Sequence, residues 1–133
     1  MSFITWSEEL SVGNNSIDQQ HQKLIQLAND LYDAMSTGKG KEILGKLFSE
    51  LIAYTDYHFK TEQDMMNQYR YPESAIHFAE HSNLTSQVLA LDEKFKKGSI
   101  MISVETMNFL KTWLSDHILR SDKALGFYIK TKI

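Results

Sequence analysis

A single proline, Pro72, interrupts the 133 residues of this chain, and Gly13, Gly38, Gly40 and Gly98 fall between its longest patterned segments, not within them. Proline and glycine are the strongest local breakers of regular structure, so the segments they bound are free to be long. Each carries apolar side chains at 3.6-residue spacing, and none shows the two-residue alternation of a strand. The chain is therefore expected to be all-α. Helices are predicted over 17–37, 41–69, 73–97 and 103–120, with a short C-terminal helix over 122–130. Ser16 followed by Gln19 forms a capping-box pattern for the first helix, Tyr71-Pro72 stops the second, Gly98 ends the third, and Ser103 caps the fourth. Residues 1–16 read as an extended N-terminal arm, with Trp6 as its packing anchor. Short connections between long helices predict an up-down-up-down antiparallel four-helix bundle, one domain over 1–133.

Composition narrows the function classes. Hydrophobic residues make up 42 % of the chain and the net charge is -3, enough for a core and without the basic footprint of a nucleic-acid binder. The absence of cysteine excludes disulfides, iron–sulfur clusters and thiol catalysis, so any metal must be held by nitrogen and oxygen. The opening MSFITWSEELS lacks the basic and apolar regions of a leader peptide, and no stretch approaches the roughly 20 apolar residues of a membrane span. A cytoplasmic protein with no membrane partner is the expectation.

The histidines do not fit an ordinary core. All five fall on predicted apolar stripes: His21 with Ile17, Leu24, Ala28, Leu31 and Met35; His58 with Leu44, Phe48, Leu51, Thr55, Glu62, Met65 and Tyr69; His77 and His81 with Leu84, Val88, Leu91 and Phe95; His117 with Met107, Leu110 and Leu114. One histidine on such a stripe is more often a hydrogen-bonded core residue than a ligand. With the stripe covering roughly 3/7 of helix positions, five of five arise by chance about 1–2 % of the time. Glu62 on the same stripe adds a carboxylate that is costly to bury unless paired or metal-bound. At about 1.5 Å per residue, His21 and His58 lie roughly 24–25 Å from the first turn, and His81 and His117 lie roughly 21–24 Å from the third. Glu62, His77 and His81 lie about 8–13 Å from the second turn. All four helices thus deliver side chains to one layer near the same end of the bundle.

Local spacing agrees for His58/Glu62 and His77/His81, which are i,i+4 pairs on one helix face. Asp122 stands five residues after His117, about 140° away on an ideal helix. It requires a distortion, and a bend at 119–121 would supply one. Five imidazoles and two carboxylates exceed the four ligands of a typical zinc site and suit two ions sharing bridging carboxylates. Among redox metals this donor set fits iron, with manganese, zinc and cobalt left open by ligand type alone.

The motifs HFKTE (residues 58–62), HFAEH (77–81) and WLSDHILRSD (113–122), preceded by IDQQH (17–21), resemble the hemerythrins, specifically the single-domain bacterial ones, and the opening ITWSEELSVG is similar to the start of that group. The resemblance spans essentially the whole chain. It implies two non-haem iron ions with an oxo or hydroxo bridge, one held by His77, His81 and His117, the other by His21 and His58. Glu62 and Asp122 would bridge them, and the second iron would keep an open position for O2. It further implies an O2 pocket lined by Leu24, Phe59, Trp113, Leu114 and Ile118. Reversible O2 binding, for carriage, storage or delivery to an O2-consuming partner protein, is the function so implied, with nitric oxide and other small anions as further ligands. Gln63, where many relatives carry an acid, and Asn15, where an apolar residue is common, depart from the family pattern; neither is expected to touch the ligands.

Three other readings compete. HFAEH also fits the H-x-x-E-H pattern of inverzincin proteases, with Glu80 as base, but this leaves His21, His58 and His117 unexplained. A di-iron oxidase, peroxidase or nitric-oxide-handling enzyme is a second alternative, although ferritin-like oxidases use E-x-x-H pairs and four carboxylates, and no such pair lies on these stripes. The third is an O2 or redox sensor acting through a partner in trans.

Overall fold

The computed structural model describes residues 3–98 and 101–133, and the side chains of all of these except Ile118 and Leu119. Its long helices are α1 (Asn15–Ser36), α2 (Lys41–Tyr69), α3 (Ser74–Lys96) and α4 (Val104–Asp116). A π turn (His117–Asp122) carries α4 without a break into α5 (Lys123–Lys130). There is no strand among the described residues. α1 packs on α2 and α4, and α2 packs on α3, the neighbour relations of an up-down-up-down bundle.

The sequence misplaced several ends, for local reasons. α1 begins at Asn15, two residues before its predicted start, because Asn14 and not Ser16 is the cap: its side chain accepts from the Ile17 amide at 3.0 Å. Asp18, in the first turn, also grips the arm, accepting from Ser11 Oγ at 2.6 Å and from the Val12 amide at 2.9 Å. Ser103 caps α4 as predicted, accepting from the Thr106 amide. α2 ends where Arg70 adopts a left-handed conformation, φ 53°, one residue before Tyr71-Pro72. The arm is not wholly extended, since Glu8–Leu10 forms a 3-10 turn. Trp6 packs against the core, as expected of an anchor, but does not act alone. Ile4 is buried, and its backbone amide and carbonyl both bond the Asn29 side chain, at 2.8 and 2.9 Å. Phe3 stacks on Tyr32 at 4.4 Å.

Two apolar clusters fill the bundle. The larger contains Leu24, Leu31, Phe48, Leu51, Val88, Leu110 and Leu114; the smaller joins Val12, Ile17, Met66, Tyr71, Leu125 and Ile129. Met66 takes the buried position expected of Met65, which is only partly covered. Ile17 and Leu24 stand one turn either side of His21, one in each cluster. The histidine layer therefore lies between two apolar plugs.

The smaller cluster depends on close approach of α5 to the arm. A side chain at Gly126 would overlap the Val12 carbonyl oxygen and crowd its Cβ. Overpacking of this kind costs about 1–3 kcal/mol, so Gly126→Ala is expected to lower unfolding free energy by that amount in urea titration. A Gly126→Ala variant as stable as the wild type would show that the arm moves aside freely.

Candidate metal centre

His21 is on α1, His58 and Glu62 on α2, His77 and His81 on α3, and His117 and Asp122 at the two ends of the π turn. None of the seven is more than 4 % exposed. In a π turn the backbone bond runs from i to i+5, which returns Asp122 to the face of His117. That distortion was anticipated as a bend between two helices. It is instead an overwide turn inside one continuous helix.

The side chains sort into two overlapping groups. In one, ligand atoms of Glu62, His77, His81, His117 and Asp122 all lie within 4.8 Å of one another; in the other, those of His21, His58, Glu62 and Asp122 do. The carboxylates belong to both. Asp122 divides its oxygens between them: Oδ2 is 2.5 Å from His21 Nε2 and 3.1 Å from His58 Nε2, whereas Oδ1 is 2.9 Å from His117 Nε2 and 3.2 Å from His77 Nε2. Glu62 Oε1 lies 3.1 to 3.6 Å from the Nε2 atoms of His81, His77, His117 and His58.

Much of this proximity is not hydrogen bonding, although Asp122 Oδ2 pairs with His21 and His58, and Glu62 Oε1 with His81. His77 Nε2, His117 Nε2 and Asp122 Oδ1 are fully buried and close together, yet none has a hydrogen-bond partner, and Glu62 Oε2 is likewise unpaired. The distances suit bonds and the directions do not. Leaving such atoms unsatisfied costs about 1–3 kcal/mol each. Lone pairs that converge on shared points, and not on one another, are what a bound cation requires. These nitrogen and carboxylate-oxygen donors form a cluster able to hold metal.

The outer nitrogens fix which ring nitrogen faces inward. His58 Nδ1–H donates to Gln20 Oε1 at 2.8 Å, and Gln20 in turn donates to Thr61 Oγ1 at 3.2 Å. His117 Nδ1–H donates to Glu80 Oε1 at 2.9 Å, and Ser121 Oγ donates to the other oxygen of Glu80. Gln63, expected to stay clear of the ligands, sits with its amide nitrogen 3.5 Å from His81 Nδ1; a half-turn of that amide presents its oxygen to an Nδ1–H instead. His81 also stacks on Phe59 at 3.9 Å. Sequence reasoning missed the roles of Gln20, Glu80 and Ser121. The signals were weak but present: a glutamate off the stripe beside His81, and a serine adjoining Asp122.

One turn from the histidine layer lies a small apolar cavity, of a size for one water-sized or diatomic molecule. Four of the five predicted pocket residues, Leu24, Phe59, Trp113 and Leu114, line it. The side chain of the fifth, Ile118, is outside the described residues. Leu84 and Thr55, not foreseen, complete the wall, and His117 reaches it from the metal layer.

A family model, the hemerythrin HHE cation binding domain, matches residues 12–126. The chain belongs to the hemerythrin family. It is 35 % identical to the bacteriohemerythrin of Methylococcus capsulatus, over 95 % of this chain and 96 % of that protein. The bacteriohemerythrin of Stenotrophomonas maltophilia is 31 % identical, over 100 % of this chain and 86 % of its relative. A crystal structure of wild-type hemerythrin shares the fold with a TM-score of 0.91 at 32 % identity, over 96 % of this chain and 98 % of that one. Among the described residues no helix is long and apolar enough to cross a membrane.

Without a cation the hemerythrin site becomes a network of protons. Burial pushes His77 down, but Asp122 and Glu62 beside it raise it to about 9. His117 is likewise opposed by burial, and Asp122 and Glu62 carry it well above its ordinary value. Burial and Asp122 push Glu62 up, and the surrounding histidines bring it down to about 2. Burial holds His81 below its ordinary value. A histidine raised on folding stabilises fully below its unfolded pKa of 6.5 and loses that stabilisation as pH rises through the folded value. Above 6.5 His81 is neutral in both states and Glu62 is ionised in both, so neither offsets the loss. The melting temperature of the metal-free protein is therefore expected to fall between pH 6.5 and about 9. The cation-loaded protein should not follow it, because proton competition for the imidazoles weakens over that range. Calorimetry of chelated and loaded protein checks this; a metal-free melting temperature that climbs toward pH 9 would contradict it.

Proposed function

We propose that the chain binds O2 reversibly at a non-haem di-iron centre. In this reading His77, His81 and His117 hold one iron, His21 and His58 hold the other, and Glu62 and Asp122 bridge them. The observation that carries it is the shared membership of both carboxylates in two groups of ligand atoms, with Asp122 turning one oxygen to each. One group offers three histidines and the other two, so a cation in the smaller group would have fewer protein donors and room for a small ligand. When bound, the iron pair supplies two electrons to O2 and recovers them on release.

The chain's own residues favour binding over turnover. Cleaving the O–O bond needs protons, and apart from His117 no titratable side chain lines the cavity among the described residues. The one hydroxyl there, Thr55, is already committed as a donor to the Leu51 carbonyl at 2.8 Å. Leu24, Phe59, Trp113 and Leu114 keep water from the site, and so protect the bound ligand from protonation and loss. The Trp113 indole N–H donates to the Leu84 carbonyl at 3.3 Å, which fixes the ring as part of that wall.

Optical titration of the reduced, iron-loaded protein with O2, followed by deoxygenation, tests the reading. A charge-transfer band that appears and disappears over repeated cycles is expected. Irreversible oxidation with release of peroxide in the first cycle would overturn it. Leu24→Ser, which puts a hydroxyl into the cavity wall, is expected to speed autoxidation by roughly tenfold or more, read as faster decay of the same band.

A further inference from the structure

The outer partners of His58 and His117 differ in charge. His58 is held by Gln20, a neutral amide. His117 is held by Glu80, an anion that reaches across from α3 to the π turn. Glu80 makes two contacts there, and both are inside the six residues that depart from α-helical geometry. Oε1 accepts from His117 Nδ1–H, at the first residue of the turn, and Oε2 accepts from Ser121, the residue before Asp122. Its side chain remains 34 % exposed, so keeping it ionised costs far less than keeping Glu62 or Asp122 ionised at full burial.

We propose that Glu80 is a positioning residue of the metal centre: one carboxylate oxygen orients and polarises His117, and the other, through Ser121, holds open the π turn that brings Asp122 inward. The inference rests on the reading of the seven residues as cation ligands. Glu80 pins the overwide turn near both ends. A carboxylate on the outer nitrogen of a histidine strengthens the inner nitrogen as a donor. The three-histidine half therefore gains both geometry and basicity from Glu80, and the two metal positions are inequivalent for a reason beyond their ligand number.

Two variants separate the two parts of the proposal. Glu80→Gln keeps both contacts, since an amide can accept from His117 and donate to Ser121, but it removes the charge. Ser121→Ala keeps the charge and removes the tether. Both are titrated anaerobically, in metal-free form, with cobalt(II) chloride, following visible d–d absorption, with far-ultraviolet circular dichroism as the control for folding. Wild type is expected to take up two equivalents. Glu80→Gln should weaken one of them by about 10–100-fold and change its d–d band, leaving the other equivalent and the helical signal unaltered. Ser121→Ala should weaken both, because Asp122 is common to both groups.

Glu80→Gln binding cobalt with wild-type affinities and bands would overturn the proposal. So would equal weakening of both equivalents accompanied by lost helicity, which would make Glu80 a support of the fold alone. If Glu80→Gln does not fold, Ser121→Ala decides, and unaltered cobalt binding in that variant would also overturn it. Failure of wild type to bind cobalt or iron would instead remove the ligand assignment beneath it, an outcome distinct from any of these.

Discussion

Two carboxylates sit in the middle of this bundle with no access to water, and everything around them answers that fact. Glu62 and Asp122 are fully buried, and a lone anion in such a place would cost several kcal/mol even after relaxation. Five imidazoles surround them, and these nitrogens can meet the anions with a bound cation or, at His77 and His117, with a proton. The apolar clusters above and below contribute by being dry. They set the low dielectric in which these charges must be matched.

Much of this could be read from residues alone, because it follows from periodicity. A histidine on a 3.6-residue stripe has a face, and counting residues to the nearest turn gives it a height. Those two quantities were enough to bring His21, His58, His77, His81 and His117 to one layer. Leu24 and Leu114 fall on the same stripes, but their place at the cavity came from resemblance. Phe59 and Trp113 were found by resemblance, because adjacent positions on a helix point to different faces and periodicity alone does not choose between them.

The parts that were not legible depend on contacts between elements. Gln20, Glu80 and Gln63 are off the stripes, and a polar residue there looks like any other half-exposed side chain until the neighbouring helix is in position. Asn14 displaced Ser16 as a cap because Asp18 ties the arm down and so fixes where the chain turns into α1. Asn29 could not be foreseen as the partner of Ile4, 25 residues away, since nothing local marks a side chain that bonds a distant backbone. The distortion at Asp122 was required by geometry, but a requirement does not choose its form.

That form has a consequence for how the chain tolerates length changes. A π turn behaves as one residue more than an α-helix would use to cover the same rise. Straightening it to an ordinary α-helix at full length would rotate everything downstream by about 100°, whereas deleting one position within it would leave His117 and Asp122 an i,i+4 pair on one face. In the straightened, full-length helix phase would be lost: Asp122 would swing out of the bundle, and Gly126 would no longer meet Val12. The π turn thus takes up one surplus residue and keeps both ends of the C-terminal segment in register, the anion at its start and the notch for the arm a turn later.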